Sequence, residues 1–284
     1  MITKKDLVSI GMPVYNGEKY LRESLDSLLS QNYKNFELII SDNASTDNTA
    51  EICREYKSND NRIRFYQNDN NIGSLLNFKK VFDLSNGKYF MWASCHDLWD
   101  STFVSKCADI LNKEDSVVLC NPLADWIDTE GESLGPTLGN IDTRGLGKSA
   151  RCHIVLWGFQ NGYPLQGLMK ASAIKKVPLA LPVFAPDMLF LFELSLIGEF
   201  AYIPEVLFHF RKFPDSMEYY TEKMVGFKTD KSYQKKLYWR MTIEYIRAIT
   251  RQYRCRSAWP GLMLSVLYGL WIKKRDTRRI IFQK

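Results

Sequence analysis

Residues 7–47, LVSIGMPVYNGEKYLRESLDSLLSQNYKNFELIISDNASTD, restrict the fold more than any other stretch of this chain. Residues 7–12 are a short apolar run of strand type. Pro13, which has no N–H to give to a sheet, is expected to end it. Tyr15-Asn16-Gly17 carries turn chemistry. Between Glu18 and Gln31, Leu21, Leu25, Leu28 and Leu29 recur at helical spacing, and residues 36–40 form a second buried-type strand that runs into the polar stretch 41–47. A strand–helix–strand unit of this length closes as a right-handed crossover between parallel strands. Ligands of such sheets bind outside the carboxyl ends of the strands, where both polar loops, 13–17 and 42–47, fall. One loop offers an aromatic ring (Tyr15) and an amide (Asn16). The other offers a carboxylate, Asp42, suited to accept hydrogen bonds from a base N–H or ribose hydroxyls. No GxGxxG and no GxxxxGK[ST] occurs anywhere, so glycine-rich dinucleotide and P-loop phosphate cradles find no support.

The run VSIGMPVYNGEKYLRESLDSLLSQNYKNFELIISDNASTDNT resembles the opening of the family 2 glycosyltransferases. That resemblance implies an α/β protein of GT-A type, with a Rossmann-like, mostly parallel sheet flanked by helices. It also implies that Pro13, Tyr15, Asn16 and Asp42 hold the nucleotide of a nucleotide-sugar donor, a UDP-sugar being the commonest choice. Beyond the core of the resemblance lies a basic C-terminal helical extension, so the expected division is 1–217 and 218–284. Ser45 also reads simply as a helix N-cap.

Further along, periodicity and turn chemistry predict helices over 45–58, 74–85, 100–111, 151–160 and 185–197, and strands over 62–67, 88–94, 116–120 and 165–170. Two more strand-type segments fall within 199–211. Residues 121–148, rich in Gly, Pro and acids, read as a long loop that covers the site or touches the acceptor. In the turn before residue 74, Asn71 and Gly73 match a family N-x-G loop and Asn77 a later asparagine, which places them near the nucleotide-sugar; singly, each also reads as a turn or a surface amide.

The strand at 88–94 delivers Cys95-His96-Asp97 to the sheet edge. A nucleoside diphosphate leaving group carries concentrated charge, and a hard divalent cation held by carboxylate oxygen neutralises it. The family has a two-carboxylate motif here, and this chain has one carboxylate. Three readings follow. The site binds Mn2+ or Mg2+ through Asp97, alone or with His96, whose imidazole favours manganese; or it holds the diphosphate without metal; or the protein is a non-catalytic relative. The first is favoured. In the second half, Asp187 precedes a helix and a G-x-F-x-x-I-P-E-x-L run, where the family carries its general base; the plain reading is a carboxylate favoured in the first turn of a helix. The resemblance further implies that Arg211, or His209, reaches the diphosphate.

The chain has 284 residues, enough for one large domain with an appendage. Six cysteines without CxxC spacing predict buried free thiols in a reducing compartment. No signal-peptide pattern and no run of 18 apolar residues is present. Charge is uneven: residues 1–210 carry 20 Lys+Arg against 26 Asp+Glu, and residues 211–284 carry 18 against 6. An acidic body with a basic tail predicts an anionic partner for the tail. Residues 260–272, PGLMLSVLYGLWI, precede a basic run. As a helix, this stretch spans about 20 Å, too short to cross a bilayer. Two readings stand side by side: an interfacial helix that brings 260–279 to a membrane surface, and a core helix or dimer contact. The function expected is inverting transfer of a sugar to a hydroxyl of a glycan or lipid-linked acceptor in cell-surface polysaccharide synthesis. It would take place in the cytoplasm, at the inner face of the membrane in the interfacial reading. The alternative is a non-catalytic GT-A-like protein that binds nucleotide or glycan. No nucleic-acid-binding motif is present, and the sequence leaves sugar, acceptor and oligomeric state open.

Overall fold

The computed structural model describes residues 6–137, 141–158, 163–183, 185–213 and 231–252. In chain order the elements that matter are β1 (Val8–Val14), α1 (Glu18–Leu29), β2 (Phe36–Asp42), α2 (Thr49–Asn59), β3 (Ile63–Gln67), α3 (Ser74–Asp83), β4 (Tyr89–Trp92), β5 (Leu98–Trp99), α4 (Phe103–Lys113), β6 (Val117–Ile127), β7 (Ser133–Pro136), α5 (Lys148–Gly158), β8 (Leu168–Lys170), α6 (Ala171–Ile174), α7 (Pro186–Ile197), β9 (Glu199–Arg211) and α8 (Lys231–Gln252). The strands form one sheet in the order β3-β2-β1-β4-β8-β6-β9-β5, with β7 paired to β6. The first four strands are parallel, as the crossover argument requires. Beyond β4 the sheet is mixed: β8 runs antiparallel to both of its neighbours, β9 parallel to β6, and β5 antiparallel to β9.

Side chains alternate across the sheet with the strand period of two. Val8, Ile10, Met12 and Val14 of β1, with Tyr89 and Met91 of β4, pack against Leu21, Leu25 and Leu28 of α1 and against α4. Ile39, Phe90 and Trp92 point the other way, toward Val81 of α3 and Phe190, Leu191 and Leu194 of α7. Gly11 faces this second layer. A Cβ there would stand 2.6 Å from a Phe90 ring carbon and 2.8 Å from Val81 Cγ2, so the absent side chain is what lets α3 lie close to β1. A third cluster joins α5, α7 and α8 through Cys152, Leu189, Phe192, Met241, Tyr245 and Ile249.

Three expectations need correction. Pro13 does not end β1, which continues through Val14 paired with Asp42. Backbone groups of β1 alternate sides: Gly11 O accepts from Ala93 N and Val14 O from Asn43 N. Pro13 therefore faces the β4 side, where pairing has already stopped at Gly11, and its missing N–H costs the sheet nothing. Residues 121–148 are not one long loop. β6 extends to Ile127, held by β9 on one side and by β7 on the other, with irregular register at Pro122–Leu123. Residues 199–211 form one long strand rather than two segments.

Among the described residues, the five cysteines are free thiols, and no helix is long and apolar enough to cross a membrane. The expected boundary at 217/218 and the stretch 260–279 lie outside the described residues.

Candidate active site

The carboxyl ends of β1 and β2 carry two loops that hold one another by side-chain bonds to main chain. Asn16, at φ +50°, donates its N–H to Ser45 Oγ (2.9 Å), and its Oδ1 accepts from Thr46 N (2.9 Å). Gly17 N donates to Thr49 Oγ1 (2.8 Å), and Asn48 N to Glu18 Oε2 (2.9 Å). The Asn16 amide is thus engaged in joining the loops. Tyr15 beside it is 42% exposed, a ring presented to solvent at the strand ends, and Pro13 lies just before it in β1.

Asp42 closes β2 and is fully buried. Its Oδ1 accepts from the N–H and hydroxyl of Ser45, whereas Oδ2 is buried without a partner among the described residues. A buried carboxylate oxygen left unpaired is costly and calls for an explanation.

Next to it the asparagines form one network. Asn43 donates to Asn71 Oδ1 (2.8 Å) and accepts from Asn68 Nδ2 and Ile72 N (both 2.9 Å). Asn77 donates to Ser41 O (2.8 Å) and accepts from Ser41 Oγ (2.7 Å). Asn71 Oδ1 also accepts from the N–H of Gly73, whose φ of +84° turns the chain into α3. Asn71, Gly73 and Asn77 are therefore brought to the end of β2, and the two amides are bonded to protein.

The end of β4 gathers the second group. Asp97 is fully buried. Its Oδ1 accepts from Arg211 N (2.8 Å), its Oδ2 bonds to Ser94 Oγ, and His96 Nε2 lies 3.9 Å from Oδ1. Burial pushes the Asp97 carboxyl above its usual range, against the opposing pull of His96, Ser94 and Arg211. The Cys95 thiol is pushed up to about 12 for the same reason. Arg211 is 1% exposed, and its guanidinium donates to His96 O (2.8 Å), Asp128 O and Thr129 O (both 3.0 Å) and Glu23 Oε2 (2.9 Å) over the Tyr20 ring. It clamps the His96–Asp97 turn to the β6–β7 connection and to α1. Asp187 stands apart from this group, in the first turn of α7, on the rim of a cleft of about 170 Å3 beside α3.

The family model described as glycosyl transferase family 2 matches residues 9–145, which contain both loops, the asparagine network and the His96–Asp97 turn. Residues 9–145 belong to glycosyl transferase family 2. An uncharacterized glycosyltransferase of Rickettsia typhi is 38% identical over 135 residues, 46% of this chain and 41% of the relative. One from Haemophilus influenzae is 28% identical over 214 residues, 72% of this chain and 65% of the relative. The chain spans less than half the length of the first curated relatives that it matches. Among solved structures, Staphylococcus aureus TarS 1-349 in complex with UDP-GlcNAc superimposes with a TM-score of 0.71 at 17% identity, over 98% of this chain and 76% of TarS. The mannosyltransferase PcManGT of Pyrobaculum calidifontis, in complex with GDP-Man and Mn2+, gives 0.59 at 11% identity, over 94% and 75%. The GT-A-type architecture is thus the one the fold shares.

Sequence reasoning missed several residues that the structure gathers around the candidate site. Asn43 and Asn68 stand in polar loops whose composition was the available signal. Ser94 and Glu23 carried none: Glu23 lies 188 residues from the Arg211 it meets, on a helix face that reads as solvated.

Proposed function

We propose that the chain transfers a sugar from a nucleotide-sugar to an acceptor hydroxyl with inversion. The observation that carries the reading is Asp42 Oδ2, a buried acceptor without a partner among the described residues, at a strand end where Asp42 pairs with Val14 and the exposed Tyr15 follows in the chain. A ligand that brings a base N–H or ribose hydroxyl supplies the missing donor, and Pro13 and Tyr15 shape the space next to it. Asn16, Asn71, Gly73 and Asn77 keep the loops in register for that contact, as positioning groups around the nucleotide. The ligands in the TarS and PcManGT complexes, UDP-GlcNAc and GDP-Man, support a donor of this class.

Asp97 and His96 are the candidates to hold a divalent cation. Their Oδ1 and Nε2 are 3.9 Å apart, wider than the roughly 3 Å between neighbouring ligands of an octahedral ion, so the two would draw together to share one. No cluster of three or more such ligands occurs among the described residues, so the pair fits a cation shared with diphosphate oxygens and water rather than a complete protein cage. When bound, a cation there supplies charge neutralisation for the departing diphosphate, and Mn2+ in PcManGT supports the assignment. Arg211, committed to protein carbonyls, to Glu23 and, through its own N–H, to Asp97, fixes the turn that carries both ligands instead of reaching the donor.

Asp187 is the base of the proposal. Its carboxylate takes the proton of the acceptor hydroxyl; the oxygen forms its bond to the anomeric carbon as the bond from that carbon to the diphosphate breaks, and the nucleoside diphosphate leaves on the opposite face. Residues 1–217 would do this work, and 218–284 would be a basic extension that meets an anionic surface, in cell-surface polysaccharide synthesis at the inner face of the membrane.

Calorimetric titration of UDP, GDP and dTDP, with and without Mn2+, tests the donor half. Binding of one nucleotide, weakened by Asp42→Asn and made manganese-independent by Asp97→Asn, is expected. No binding of any nucleotide under either condition would sink the transferase reading.

A further inference from the structure

The cleft beside Asp187 has a character that sugar transfer alone does not call for. Its floor is aromatic: Trp92 and Phe190 meet edge to face with centroids 5.4 Å apart, and Phe78 lies 6.4 Å from Trp92. Leu75 and Leu179 also line the cleft. The indole N–H is taken up by Phe78 O (3.0 Å), and besides Asp187 the polar side chains of the lining are Ser74 and Lys79. At the rim, Lys79 is paired with Asp83 on its own helix. Asp187 is the acidic group that lines the space.

Two further observations point to an occupant. The lip between Pro178 and Leu181 contains Ala180 at φ +59°, a conformation that residues with a side chain rarely adopt. Such backbone persists where its surroundings impose it, and it gathers at ligand clamps. The size is also selective. An apolar cavity of about 150 Å3 stays dry and accepts benzene, so about 170 Å3 takes one ring or a short branched hydrocarbon. A sugar seated against Leu75, Phe78, Leu179 and Phe190 would leave most of its hydroxyls unpaired.

We infer that this cleft seats the hydrocarbon group of the acceptor, so that the acceptor class is amphiphilic: an apolar aglycone in the cleft and a hydroxyl at Asp187. The inference rests on the reading of Asp187 as the base and specifies what that base faces. A purely polar glycan would fill the rim and leave the floor bare.

The test uses the full chain and two probes with the same sugar, benzyl β-D-glucopyranoside and methyl β-D-glucopyranoside, titrated by calorimetry or ligand-observed NMR. The benzyl glycoside is expected to bind at least tenfold more tightly. Leu75→Glu and Leu179→Glu, on different elements and both at half-buried positions, should each erase that difference. Equal affinity of the two probes, or a preference that survives in both variants, would overturn the inference. Nucleotide titration of the same variants reads the donor site separately: it should be unchanged, and a wild-type protein that binds no nucleotide condemns the transferase reading, whatever the aglycone result.

Discussion

Asp42 and Arg211 are both buried ionisable residues, and they differ in what remains unpaired. Asp42 keeps Oδ1 occupied by Ser45 and leaves Oδ2 open. Asp42→Asn preserves the Ser45 contact through its amide oxygen and converts the open acceptor into a donor. It is expected to weaken nucleotide binding about 10- to 100-fold, the size of a hydrogen bond to a charged group, with an unchanged unfolding midpoint, as calorimetry and urea titration would read. Arg211 leaves nothing open. Its donors reach three carbonyls and Glu23, a fork that lysine lacks. Arg211→Lys should therefore lower stability by about 2–4 kcal/mol, because buried carbonyls lose their partners. Urea unfolding measures that loss, and an unaltered midpoint would refute the clamp.

At the scale of elements, α7 is apolar on nearly every side and yet carries Glu193, fully buried between the sheet layer and α8. One oxygen pairs with Arg251 Nη2 at 2.7 Å and the other has no partner among the described residues. Burial, reinforced by the charge of Glu244 and opposed by Arg251, raises its carboxyl from 4.5 to about 7. The charge of Glu193 in turn helps burial and Asp187 to raise the Tyr245 phenol. The folded state therefore holds a proton that the unfolded state releases between pH 4.5 and about 7. Stability from this group is present below the window and falls as pH rises through it, by a few kcal/mol at about 1.4 kcal/mol per unit. Glu193→Gln should flatten this slope, so that its stability relative to wild type improves from pH 5 to pH 8 in urea unfolding. The β1–α3 contact makes a second element-scale expectation. Gly11→Ala drives a methyl into Phe90 and Val81 and is expected to cost about 1–3 kcal/mol, read as a lower thermal midpoint.

For the whole molecule, α8 is part of the packed structure as well as of the basic tail. Leu237, Met241, Tyr245, Ala248 and Ile249 are buried on it, and its partners are α5 and α7. At about 1.5–3 kcal/mol for each large apolar side chain, their combined burial rivals the net stability of a domain. A chain ended at residue 213 is expected to lose cooperative unfolding and to bind a hydrophobic dye; retention of a sharp transition would show that the α5–α7 layer is stable by itself.

Local order carried much of this protein in readable form. The leucines of α1 and the alternation in β1, β2 and β4 announce a parallel crossover with polar loops at the strand ends, because helix and strand periods and turn chemistry are properties of neighbouring residues. Other features depend on partners far away in the chain. Pro13 stays in β1 because β4 has already left that side of the strand. Residues 121–127, which look like loop in isolation, become strand because β7 and β9 supply the pairing. Arg211 becomes a clamp rather than a ligand because Glu23, the His96 carbonyl and the β6–β7 connection converge on it. The sequence by itself determined the α/β class and the residue types at the strand ends. Which of those side chains are consumed in holding the loops and which, like Asp42 Oδ2, have no partner among the described residues was decided by tertiary structure, since hydrogen bonds are allotted by proximity in space and not along the chain.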